Sequence, residues 1–169
     1  MSVLVILRVA HVIAGIFWLG TVLFNAGFLL PAARAAGPAG GQVMKQIVQI
    51  RRLPLFMHVA VYTCLITGGF LFWWASGGFN FGWLSSSIGI TWSIGSLLAI
   101  TAALLGEFVN APTARKFARL ASTVQGGPPA VTVLVEMQRL QMRLFRATQL
   151  AAVLLLLSAA AMAAARYIV

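Results

Sequence analysis

An all-α integral membrane bundle of four helices is the fold class the sequence predicts, and three observations carry it. The chain is 61% hydrophobic and only 8% charged over 169 residues. A soluble domain carries about 25% charged residues, so a chain this apolar needs lipid as its solvent. Four runs are long enough to cross a hydrocarbon core, which takes about 20 apolar residues. The cations gather mainly in the connections between those runs. The expectation is one transmembrane domain over residues 1–169, up-down-up-down, with both termini outside.

The first run, Val3 to Leu30, is interrupted only by Arg8, His11 and Asn25, and predicts a helix over residues 3–31. It is longer than the roughly 7–15 residues of a signal-peptide core and contains Trp18 and Asn25, so a retained helix is expected. The second run is Leu53 to Ala75. Residues Gln42 to Arg52 lack helix breakers and extend the prediction to 42–75, with Pro54 as a kink. The third run, Ile88 to Val109, predicts a helix over 88–111. A separate cytoplasmic helical segment follows over 113–124, ended by Gly126-Gly127-Pro128-Pro129. In the fourth, Leu134, Met137, Leu140 and Leu144 recur at helical steps ahead of the apolar run Ala147 to Val169. That helix is therefore expected over 131–169, beginning below the membrane, with Arg166 snorkelling near its end.

Orientation follows from the cations. The first connection holds Arg34, Lys45, Arg51 and Arg52; the third holds Arg115, Lys116, Arg119, Arg139, Arg143 and Arg146; the middle one, Ser76 to Ser87, holds none. The positive-inside rule puts both basic connections in the cytoplasm and both termini outside. The expected location is a bacterial inner membrane with periplasmic termini. Trp73, Trp74, Trp83 and Trp92 surround the uncharged connection as an outer interfacial belt would. The net charge of +10 is read as a match to anionic headgroups rather than to nucleic acid. Cys64 is the sole cysteine, so the chain has neither an internal disulfide nor a CxxC motif.

Polar side chains inside lipid are costly and point to function. The candidates are Arg8, His11, Asn25, His58, Glu107, Gln149 and Arg166. His11 lies about 10 Å from the outer end of its helix, with Arg8 one turn above it. Asn25 lies about 31 Å from that end, His58 about 26 Å below Ala75, Glu107 about 28 Å below Ile88, and Gln149 about 30 Å below Val169. Two levels result: an outer one of His11 and Arg8, joined by Arg166 and Tyr167, and an inner one of His58, Glu107, Asn25 and Gln149.

At the outer level, a histidine one turn from an arginine suits haem b, the imidazole on iron and the guanidinium on a propionate. The plainer alternative is a histidine hydrogen-bonded to a neighbouring helix, with Arg8 snorkelling. One haem bridging His11 and His58 would have to span a height difference of about 15 Å. At the inner level, Glu107 either pairs with Arg51 or Arg52 for topology alone, or forms a pair with His58. That pair would serve as a proton relay, a second haem or metal site, or a quinone site. Copper is the alternative metal, because Met57 adjoins His58 and thioether with imidazole suits Cu(I). The chain has no Asp and no phosphate loop. Gly15, Gly20, Gly68, Gly69, Gly95 and Gly106 suit close helix packing or room for a flat macrocycle.

The segment Leu7-Arg8-Val9-Ala10-His11-Val12-Ile13-Ala14-Gly15-Ile16-Phe17-Trp18-Leu19-Gly20, with Pro31 and Arg34 at its inner end, resembles the first helix of a broad membrane superfamily. That superfamily includes CopD-type copper-resistance proteins and HemJ-type protoporphyrinogen oxidases. Arg51-Arg52 and Thr67-Gly68-Gly69 add to the resemblance, which covers the first two helices by motif and the last two by hydropathy. In HemJ-type enzymes the corresponding histidine is a haem b ligand, which by resemblance falls on His11. Those enzymes also carry a third-helix lysine after a tryptophan. Here Trp92 is followed by Ser93, Ile94 and Gly95, and that helix has no lysine, so protoporphyrinogen oxidation is not the activity expected. CopD-type proteins imply periplasmic copper handling.

The function expected is a small haem b protein of electron transfer or membrane oxidoreduction, with His11, His58 and Arg8 at the cofactor. The alternatives are a copper-handling or transport component, or a non-catalytic subunit of a larger membrane complex. Lipid is the primary partner, with a redox partner or a second copy of the chain as further ones.

Overall fold

The computed structural model describes residues 2–123 and 130–168. The expected chain break at Gly126-Gly127-Pro128-Pro129 and the terminal Val169 lie outside the described residues. Every regular element described is helical. Four helices are long and apolar enough to cross a membrane: Val3–Ala35, Leu53–Ala75, Ser87–Ser122 and Val131–Tyr167.

Helix α1 runs over Ser2–Phe24, widens into a π turn at Asn25–Leu29 and closes with Leu30–Ala35. Pro31 explains the widening. Its ring would collide with the carbonyl one α turn back, and it has no N–H to give; a π turn absorbs both problems. Gly37 is left-handed (φ 57°) and starts α2, Pro38–Lys45 with a π turn at Gln46–Ile50. Helix α3 is Leu53–Ala75.

The helix expected over 42–75 with a kink at Pro54 is therefore two helices. Pro54 cannot sit within an unbroken α ladder, and the chain stops instead at Arg51-Arg52, where Arg52 is left-handed (φ 52°). Its carbonyl then receives Leu55 N (2.9 Å) to start α3.

Ser76 caps the end of α3: its hydroxyl donates to Trp73 O (3.1 Å) and accepts from Phe79 N (2.9 Å). Gly77, Gly78 and Phe79 turn the chain with positive φ. A short α4, Phe81–Leu84, is capped by Asn80 Oδ1 on Trp83 N (3.2 Å). Of the four tryptophans here, Trp73 and Trp74 stand exposed, as an interfacial belt requires. Trp83 instead packs edge-on against Phe72 (5.5 Å) and Trp92 (6.0 Å).

Ser86 caps α5, which spans Ser87–Leu105, a π turn at Gly106–Asn110, and Ala111–Thr123. The third membrane helix and the expected cytoplasmic segment over 113–124 are thus one continuous helix. Pro112 stands two residues beyond the π turn, as Pro31 does in α1. Helix α6 is Val131–Ala164, followed by a 3₁₀ turn at Ala165–Tyr167.

Small residues make the core: Ala14, Ala26 and Ala60, with Cys64, Ala99, Ala102, Ala103, Ala151 and Ala152, around Trp18, Val22 and Leu155. Small side chains let helix backbones approach closely in lipid, where the hydrophobic effect cannot drive helices together. Helices α5 and α6 approach closely. A Cβ on Gly95 would meet Met162 Cγ at 3.1 Å and Ser158 O at 3.3 Å, and Ser158 Oγ donates to Gly95 O (2.7 Å). The most extensive packing joins α5 to α6 and α1 to α3, whereas α3 meets α5 only sparsely.

Candidate functional site

The outer level is built on α1 and α3. His11 lies half-buried on α1, and its Nδ1 is 2.9 Å from the carbonyl oxygen of Cys64. A carbonyl only accepts, so Nδ1 carries the proton and Nε2 has the free lone pair. Thr67 Oγ1 (3.4 Å) and Cys64 Sγ (3.6 Å) flank the same nitrogen. The Thr67 hydroxyl is itself committed to Thr63 O (2.6 Å). Gly68 makes the approach feasible, because a Cβ there would lie 2.8 Å from His11 Cε1. The space at Gly68 is thus filled by the imidazole, and that at Gly95 by α6; both serve packing. Gly20, Gly69 and Gly106 face open space within 4 Å.

Among the described residues, His11 Nε2 makes no hydrogen bond. An imidazole anchored through Nδ1 with Nε2 free is the arrangement a metal ligand needs. The Nε2 lone pair is thus available to a metal ion. Arg8 is exposed, one turn away on α1. Arg166 and Tyr167 do not complete this level as expected: the end of α6 packs on α5, and the Arg166 guanidinium lies 4.8 Å over its neighbour's ring.

The inner level is smaller than expected, and it sits at the sparse seam between α3 and α5. His58 Nε2 is 3.0 Å from Glu107 Oε1, and Tyr62 O–H donates to the same oxygen (3.3 Å). His58 Nδ1 is 2.5 Å from Pro54 O. The Pro54 carbonyl demands a proton on Nδ1, and the Nε2–Oε1 bond demands another between imidazole and carboxyl. The intact pair therefore holds one proton more than neutral His with carboxylate.

Glu107's partners are thus His58 and Tyr62, and neither Arg51 nor Arg52 bonds to it among the described residues. Tyr62 escaped the sequence reading, although its i, i+4 spacing from His58 places both on one helical face. Asn25 opens the α1 π turn, which packs against α6. Gln149 is exposed on α6, and neither amide bonds to the pair among the described residues. Two buried polar atoms have no partner among the described residues, Asn110 Oδ1 at the end of the α5 π turn and Trp92 Nε1.

His11 and His58 are not brought together. His11 meets α3 at Cys64 to Gly68, and Thr67 lies about 14 Å along α3 from His58. Among the described residues no group of three or more His, Cys, Asp or Glu side chains could hold a metal ion. Met57 packs against the apolar core. Neither family models, nor curated proteins, nor solved structures give any match to this chain.

Proposed function

We propose that this is a small haem b protein of a bacterial inner membrane, taking part in electron transfer or a membrane oxidoreduction. The single observation that carries the reading is the anchoring of His11 through Nδ1 to the Cys64 carbonyl, which leaves Nε2 free inside the membrane span. Haem b, when bound, supplies a one-electron iron couple. His11 would hold the iron, and Arg8 would meet a propionate at the interface. His58 lies too far along α3 to serve that same iron. Its role is instead to share a proton with Glu107 at the inner level, in position to balance the charge of an electron arriving nearby.

The proposed topology is an up-down-up-down bundle with both termini periplasmic. Contacts support the order: Gly95 meets Ser158 while Lys116 meets Glu136 (2.6 Å), so α5 and α6 approach in opposite sense. The uncharged Ser76 to Ser87 connection against two basic ones supports the orientation.

The test is the visible spectrum of the detergent-purified protein, oxidised and dithionite-reduced. The expected result is a Soret band and a reducible alpha band that disappear in His11→Ala while the protein still folds. A colourless protein from haem-replete cells overturns the proposal, and copper analysis is then the next measurement.

A further inference from the structure

The chain has twelve Lys and Arg but only two acids. Glu107 is committed to His58. Glu136 is committed to Lys116 (2.6 Å), with Arg139 at 3.9 Å. Among the described residues no ion pair joins Arg143 or Arg146 to a carboxylate, although Glu136 lines a groove with Arg143.

Arg139, Arg143 and Arg146 stand at i, i+4 and i+7 on α6, so they form one stripe about 10 Å long. Together with Leu105 of α5 and Met142 and Leu150 of α6, they line a groove of about 500 Å³. A second groove of about 420 Å³ shares Arg139 and Arg143. The lining changes character along α6. Towards Leu150 it enters the apolar run that crosses the membrane, and towards Arg139 it leaves it. A groove cationic at one end and apolar at the other matches a molecule with an anionic head and a hydrocarbon tail. Guanidinium forks suit phosphate oxygens in particular.

We infer that the α5–α6 groove is a binding site for one anionic phospholipid. Its phosphate is held by Arg143 and Arg146, with Arg139 in support, and an acyl chain lies against Leu105, Met142 and Leu150. Basic pockets between membrane helices are a recurring solution for such headgroups. The lipid supplies the anion that the sequence lacks. The site is independent of the haem proposal.

The probe is phosphatidylglycerol added to the delipidated full-length protein in detergent, with retained lipid counted by native mass spectrometry. Phosphatidylglycerol is expected to be retained in preference to phosphatidylcholine of the same chains. In Arg143→Gln/Arg146→Gln, retention should fall about tenfold or more, since hydrogen bonds to charged groups are the strong ones. Arg51→Gln/Arg52→Gln removes the same charge outside the groove and should leave retention unchanged. Equal retention of phosphatidylcholine overturns the inference, as does an equal loss in the Arg51/Arg52 variant, which would mean diffuse charge. Displacement of the lipid by millimolar inorganic phosphate would make this a free-phosphate site and also overturns it. If the Arg143/Arg146 variant fails to fold, the lipid and phosphate comparison on the unaltered protein decides alone.

Discussion

Replacing Gly68 by alanine isolates the contact on which the outer site depends. A Cβ at this position would come within 2.8 Å of His11 Cε1 and 3.1 Å of Nδ1, so the ring must turn away. Turning away strains its bond to the Cys64 carbonyl. Overpacking costs about 1–3 kcal/mol, and the strained hydrogen bond about 1 kcal/mol more. Gly69 is the internal control. It is the next residue of the same helix, and nothing lies within 4 Å of its Cβ position. Alanine gains about 1 kcal/mol of helix propensity at either site, and that gain cancels in the comparison. Gly68→Ala should therefore be less stable than Gly69→Ala by about 2–4 kcal/mol. Thermal unfolding of both variants in one detergent measures the difference. A reducible haem band should weaken in Gly68→Ala alone. Equal stabilities would refute the packing of His11 on Gly68, and a weakened band in both variants would detach the spectrum from that contact.

Three other contacts can be tested in the same way. Glu107→Gln should leave the visible spectrum intact while slowing any proton-coupled turnover by about 100-fold; an unchanged rate would leave Glu107 a purely structural partner of His58. A double-mutant cycle of His58→Ala and Glu107→Ala should return a coupling of about 1 kcal/mol, since both groups are partly exposed, and a coupling of zero would mean that the pair adds nothing to stability. Ser158→Ala should cost about 1 kcal/mol by deleting the bond to Gly95 O, read as a lower unfolding temperature, whereas an unchanged temperature would mean that this bond adds nothing to the α5–α6 contact.

The residues legible in the sequence are those whose position depends on height alone. The four apolar runs, and the meeting of His58 with Glu107 at one depth, follow from a fixed rise per residue. Rotation about a helix axis is another matter. Asn25 and Gln149 share roughly the depth of the pair by residue count, yet neither bonds to it among the described residues. Successive residues turn by about 100°, and a π turn resets the count. His11 stands out by its cost in lipid, yet its partners are a backbone carbonyl and a glycine, which leave no pattern in side-chain chemistry. The break at Arg51-Arg52 is missed by treating Pro54 as a bend within a helix, when its missing N–H stops one.

The two prolines that follow π turns within long helices give the inner level a backbone irregularity the outer one lacks. Pro31 and Pro112 each stand two positions after a five-residue π turn. In both turns a polar residue stands at the start, Asn25 first in one and Glu107 second in the other. A π turn inserts one residue, so it rotates the downstream part of the helix by about 100° relative to an unbroken α-helix. The facing of Glu107 towards His58 is thus set at a point where the backbone ladder is already loosened by a proline. His11, by contrast, stands within the unbroken α-helical stretch Ser2–Phe24, locked by a carbonyl and by the absence of a Cβ at Gly68. On the proposed reading, a ligand group at His11 would stand on the rigid segment, and the proton shared by His58 and Glu107 would stand where a small backbone adjustment is cheap. The difference in backbone regularity between the two levels follows from where the prolines fall.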